Sequence, residues 1–256
     1  AATPTFQDTT FGDLTLQLDN NDVTFANGLT LNQITVIAGG DISDGGNDFV
    51  IANAASYTAN GGNNITLNGG ANDFQGGVTL SGQAIAINDG VGGLSFASVN
   101  STDDFTVTSR GTVTQTGIIT VTDQISVTST NGDIDLDNAA NNVGGTVTLQ
   151  VDLDTADISW RNINGGANTP TLPDNQFNDF TLVHDTAGVT LPALTLLDTG
   201  GDTGDLSVTS GGNMTSTAAL QIAGDATFVS DANTIDATIN NAGNDINGAV
   251  AFNTAG

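Results

Sequence analysis

Phe105-Thr106-Val107-Thr108-Ser109 lies over Leu206-Ser207-Val208-Thr209-Ser210, 101 positions further along, and the match runs without a gap to Ile134 over Ile235. Apolar residues stay paired along the way: Val113 with Met214, Ile119 with Leu220, Val121 with Ile222, Val127 with Phe228. After a two-residue insertion it resumes with Asn141-Asn142-Val143 over Asn244-Asp245-Ile246. A further copy begins near Ile34-Thr35-Val36 and reaches Asn72-Asp73-Phe74-Gln75-Gly76-Gly77-Val78. The chain thus carries one pattern three times, near 34–80, 105–149 and 206–252, and recurrence of this kind marks a repeat architecture.

A shorter period sits inside the long one. Val107, Val127 and Val147 are 20 apart; Val208, Phe228 and Val250 follow at 20 and 22, and Val36, Tyr57 and Val78 at 21 and 21. Between these anchors, segments such as Ile125-Ser126-Val127-Thr128 alternate apolar with polar, the period of a half-buried strand. Glycines fall between the segments, at Gly111, Gly132 and Gly144-Gly145, where turns belong. Short strands in a unit of about 20 residues predict an all-β fold, a parallel β-helix (β-solenoid) in which each coil stacks on the next. Residues 1–256 then form one continuous solenoid of about 12 coils, roughly 55–60 Å long at the spacing of paired strands.

Composition points the same way. All 28 acidic residues are Asp; there is no Glu and no Lys, and the only cations are Arg110 and Arg161, for a net charge of −26. Glu and Lys are the best polar helix formers, so helices are not expected. Two arginines cannot neutralise a phosphate backbone, which excludes nucleic acid as a partner. An anionic membrane would repel the chain, and no apolar run is long enough to span one, so membrane insertion is not expected. Without Cys there are no disulfides and no thiolate metal sites. The start, Ala1-Ala2-Thr3-Pro4, has the look of a processed or cut end.

The block Ile239-Asn240-Asn241-Ala242-Gly243-Asn244-Asp245-Ile246-Asn247-Gly248-Ala249-Val250, with its counterparts at Asn141 to Leu149 and Asn72 to Leu80, resembles the repeats of filamentous-haemagglutinin-like large exoproteins. These are bacterial surface adhesins of the two-partner-secretion type and related β-strand-repeat proteins. The resemblance spans most of 34–149 and 206–252. It implies a right-handed helix, export from a Gram-negative bacterium and a secreted or cell-surface rod. No Arg-Gly-Asp triplet accompanies it, since Arg110 is followed by Gly111-Thr112.

Candidate sites are few. Asp198, Asp202 and Asp205 lie among Gly200, Gly201 and Gly204, where a loop could fold around calcium; no cofactor is otherwise required. Asp133, Asp135 and Asp137 share one strand face, but carboxylates about 7 Å apart cannot all reach one ion, so they read as a solvated face. Asn72, Asn141 and Asn244 occupy equivalent positions and are expected to form a ladder of amides that sets coil register. Val147 to Val208 is a surplus over the repeat, and it holds Trp160, Arg161, Pro170 and Pro173. An extra coil or protruding loop is expected at 153–180, with Trp160 and Arg161 as candidate partner contacts.

His184 is the sole histidine, and with Cys and Lys absent most acid–base or nucleophilic constellations lack a member, so an enzyme is not expected. Asp103-Asp104 or Asp152 with Asp154 would have to serve in the remote alternative of a polysaccharide-active β-helix. The expected function is a rod segment: an adhesin shaft or presentation module, whose partners are neighbouring repeats and a surface receptor or glycan. The alternative is a subunit that polymerises head to tail into an extracellular filament or surface layer.

Overall fold

The computed structural model describes Phe6 and residues 9–166, 168–199, 203–231 and 236–254. Among them there are strands and turns but no helix. Every strand pairing is parallel, and about 11 coils of about 21 residues stack into a β-solenoid. At about 4.8 Å per coil the rod is about 50 Å long.

The five-residue strands show why the chain coils. Ala55–Ala59, Phe105–Ser109, Ile125–Ser129 and Leu206–Ser210 each place residues one, three and five inward. Parallel pairing lays like on like, so Ile65, Ile85, Phe105, Ile125 and Val147 form one buried column along the axis. Burial of such side chains supplies about 1.5–3 kcal/mol each. A lone coil has no neighbour to bury them against, so coils are stable only in a stack. Phe25 and Phe49, with ring centroids 5.1 Å apart, and Phe96 and Phe105, 5.2 Å apart, fill the wider parts of the interior edge to face.

One sheet of 16 strands runs from Thr10–Leu18 to Val250–Thr254. A seven-stranded sheet extends from Val23–Thr24 to Val147–Val151. Further along, a four-stranded sheet (Gln176–Phe177 to Asp245–Ile246) and a three-stranded one (Val189–Leu191 to Ala237–Thr238) take over. The three sequence copies do not share a face. The first and third begin in the long sheet, with Leu29–Ala38 and Leu206–Ser210, whereas the second, with Phe105–Ser109, lies in the seven-stranded sheet. From Ile34 to Phe105 is 71 residues, about three and a third coils, so equivalent strands are carried on to another face.

The 20-residue step needs correction at its second stage. Val107 pairs with Val127, but Val127 pairs with Leu149 rather than Val147. Likewise Tyr57 pairs with Leu80 rather than Val78, and Phe228 with Phe252 rather than Val250. In each copy the coil is two residues longer than the apolar spacing suggests. A shift of two keeps every apolar side chain inward, so alternation alone cannot register it.

Within 153–180 the strand Ile158–Asn162 pairs on one side with Ile134–Leu136 and on the other with Phe180–His184, so this segment contributes a coil to the stack. Between Ile163 and Asn175 the described residues touch the seven-stranded sheet through a bridge between Thr148 and Thr171. On the strand Val250–Thr254, Val250 is 49% and Phe252 59% exposed. Phe252 stacks on Phe228 at 5.0 Å.

Candidate functional site

The polar groups of the rod gather at its corners. An Asp stands immediately before each of five successive strands of the long sheet: Asp133, Asp157, Asp179, Asp205 and Asp225. Asp133 Oδ1 accepts the N–H of Asp157 at 3.0 Å, and Asp157 Oδ1 that of Asp179 at 3.1 Å. Asp179 Oδ1 accepts from Asp205 at 2.6 Å, Asp205 Oδ1 from Asp225 at 2.7 Å, and Asp225 Oδ1 from Ala249 at 2.7 Å. These N–H groups face the next coil just where the strand ladder begins, and carboxylates satisfy them with charge-assisted bonds. A second corner repeats the device before the seven-stranded sheet: Asp22 accepts from Asp41, Asp41 from Asn64, and Asn64 from Ala84.

Two carboxylates are buried outright. Asp44 accepts from the N–H groups of Gly46 and Gly69 and from Asn72 Nδ2. The turn it closes needs left-handed backbone, and Gly45 and Gly46 supply it with φ of 66° and 75°. Asp89 accepts from Phe74, Val91 and Gly92. Burial pushes its carboxyl up from the usual Asp range, against the pull of those three bonds. Nothing in the repeat marked Asp44 or Asp89 as interior, because both sit at an inward position that alternation assigns to apolar residues.

The three equivalent asparagines make their coil-to-coil bonds to backbone rather than to one another. Oδ1 of Asn72, Asn141 and Asn244 accepts the N–H of Phe49, Ile119 and Leu220 respectively, each in the preceding coil, at 2.7, 3.0 and 3.0 Å. Asn141 also exchanges two hydrogen bonds with Gln115 and donates to Leu136 O. The copies lie several coils apart, so the three amides cannot stack.

Of the candidate calcium loop, Asp202 lies outside the described residues. Asp198 is exposed, and the Asp205 carboxylate is engaged with the Asp225 N–H. Carboxylate oxygens come together elsewhere. Those of Asp103, Asp104 and Asp123 lie within 4.8 Å of one another, and an open groove of about 360 Å³ is lined by Asp133, Asp135, Asp137, Asp157 and Asp179. In that groove the Asp135 carboxyl is pushed up by partial desolvation first, then by the charges of Asp137 and Asp133. The corner carboxylates of the groove are already engaged by backbone N–H groups, which fits a solvated acidic wall.

Trp160 is not a partner contact. It is fully buried, the middle inward residue of Ile158–Asn162, because the strand alternation turns its ring into the core. Arg161 points outward from the same strand and forms a two-bond pair with Asp185, Nε to Oδ2 at 3.1 Å and Nη2 to Oδ1 at 2.6 Å. That pair holds the guanidinium more firmly protonated. His184 is buried between Asn162 and Ser210 of the adjoining coils, its Nδ1 3.4 Å from Gly188 O, and burial lowers its pKa.

The stacked repeat is matched by a known family, the DUF5649 repeats, described as repeats of unknown function, over residues 11–81, 82–150 and 178–253. The chain belongs to this family. Among curated proteins and solved structures, none matches the chain. Each DUF5649 match covers three to four coils, and the coil built on Ile158–Asn162, with Trp160 and Arg161, falls between the second and third. The corner aspartates recur through the DUF5649 stretches; the signal that finds them is an Asp directly before the first apolar residue of a strand.

Proposed function

We propose that the chain is a rod segment of a secreted or cell-surface repeat protein, a non-catalytic shaft that holds a binding part away from the surface that bears it. The observation that supports it is the unbroken series of parallel pairings in the long sheet, from Thr10–Leu18 to Val250–Thr254. Each coil pairs its strands with its two neighbours, so length grows by adding coils and a pull along the axis is shared by the sheets and corner carboxylates. A net charge of −26, carried mostly by exposed and half-buried aspartates, keeps neighbouring rods apart. The Gram-negative surface location follows from the resemblance of the asparagine-rich blocks to exoprotein repeats, and the partners are adjoining repeats together with a receptor or glycan.

The test is accessibility. Antibody raised against the 256-residue chain is expected to label intact cells of the bacterium that makes it, on thin projections seen by electron microscopy. Labelling confined to lysed cells overturns the reading.

A further inference from the structure

The outer face of the seven-stranded sheet carries no charged side chain on its strands, in a chain of 28 aspartates. Its register is unbroken, so outward residues fall into ranks. One rank runs Thr24, Ser43, Thr66, Ala86, Thr106 and Ser126 and ends at Thr148. Beside it, two residues on, run Asn88, Thr108, Thr128 and Gln150. The long sheet differs: it has a bulge between Phe96 and Ser98 and carries Asp135 and Arg161 on its outer side.

The hydroxyls of Thr66, Thr106, Thr108, Ser126, Thr128 and Thr148 bond to nothing among the described residues, whereas the buried Ser101, Ser129 and Ser210 at strand ends are fully engaged. We infer that this face is an ice-binding surface.

The argument is one of periodicity and charge. Parallel strands set the residues of a rank about 4.8 Å apart along the axis and the two ranks about 6.7 Å apart along the strand. The oxygen rows on the faces of an ice crystal repeat at intervals close to both. Threonine on a strand is stiff about χ1, so hydroxyls and methyls are held at fixed positions before contact and little freedom is lost on docking. A carboxylate would hold its own hydration shell and fit no neutral lattice. None projects from these strands, and the carboxylates that precede them, Asp22, Asp41 and Asp104, border the two ranks at the corner, Asp104 lining a shallow groove with Thr66, Ala86 and Thr106. The absence of an aromatic ring among these outward residues removes the usual platform for stacking a sugar. Thr66, Thr106, Thr108, Ser126, Thr128 and Thr148 give this array its free hydroxyls, while Ala86 has none and Ser43, Asn88 and Gln150 are already hydrogen-bonded. The stretch from Thr106 to Thr148 is the part that suits a neutral, doubly periodic array of water.

The test uses the full chain and slowly grown ice. The wild type is expected to be taken up into the crystal and to inhibit recrystallisation. Thr106→Lys with Thr128→Lys is expected to lower recrystallisation inhibition at least about tenfold, the scale of losing a few well-placed contacts. Thr209→Lys with Thr227→Lys, the same charge change on the long sheet, is expected to retain it. Thr128→Tyr alone adds bulk without charge and is expected to lose it too, which guards against a misfolded double variant. Exclusion of the wild type from ice overturns the inference, and so does equal loss in the control. If sedimentation shows dimers that the Thr106/Thr128 variant abolishes, while ice excludes the wild type, the occupant is a second copy and the inference fails.

Discussion

Asp205 accepts the backbone N–H of Asp225 at 2.7 Å while donating its own N–H to Asp179 at 2.6 Å, so one residue ties three consecutive coils together. Its side chain reaches one way along the axis and its backbone the other. Repetition of the arrangement from Asp133 to Asp225 makes a carboxylate rail along one corner of the rod.

Asp205→Ala is expected to lower the melting temperature by the equivalent of about 1–2 kcal/mol, since the Asp225 N–H then loses a charged acceptor. Asp205→Asn is expected to retain most of the stability, because an amide oxygen can still accept. As backbone already occupies this carboxylate, a chelator is expected to leave the wild-type melting curve unchanged. A drop in chelator that Asp205→Asn abolishes would mean that Asp198, Asp202 and Asp205 hold an ion, whereas a drop that persists in that variant would point to Asp103, Asp104 and Asp123.

Asn141→Ala is expected to cost about 2–4 kcal/mol, because it strands the buried Ile119 N–H and removes the donor to the Leu136 carbonyl, while the partly buried Gln115 amide keeps only its bond to Gly117 O. Asn244→Ala, at a partly exposed position, is expected to cost about half as much. Denaturant midpoints of the two variants decide the ranking.

Tyr57→Phe is expected to stabilise the rod. The Tyr57 hydroxyl is buried without a hydrogen-bond partner, and burial, with the nearby Asp44 charge, drives its pKa upward. Removing the hydroxyl relieves an unpaired polar group and recovers about 1 kcal/mol, read as a higher melting temperature.

His184 makes stability depend on pH. Its folded-state pKa lies below the unfolded 6.5, so as pH falls below 6.5 the unfolded chain binds a proton first and stability drops. His184→Asn, which copies Asn162 of the preceding coil, is expected to reduce the loss in melting temperature between about pH 7.5 and about pH 5.5. Asp89 acts in the opposite sense: its raised pKa means that stability falls as pH rises above 3.8. Both chains share that contribution, so the mutant–wild-type difference cancels it and isolates the histidine.

How much was legible differs from residue to residue. Val107 over Val127 was readable because twenty residues separate them and nothing is inserted; Val127 over Leu149 was not, because the two-residue slip leaves the alternation intact. Trp160 stood out in the sequence as an odd aromatic in an irregular stretch, but its place in the alternation Ile158, Trp160, Asn162 decides its burial. Asn72, Asn141 and Asn244 were visible as equivalent positions, while their backbone acceptor role depends on which coil lies beside them.

Period two and a recurring spacing are local properties, so an all-strand, repeating chain with apolar residues lining one interior can be read from the residues alone. Which coil meets which, the placement of the second sequence copy on a different sheet from the first and third, and the assembly of uncharged ranks on one sheet emerge only when the coils stack. A unit of about 70 residues is not a whole number of coils of about 21, so likeness in sequence and neighbourhood in space part company. The backbone ladder, which binds without regard to side-chain identity, settles the difference.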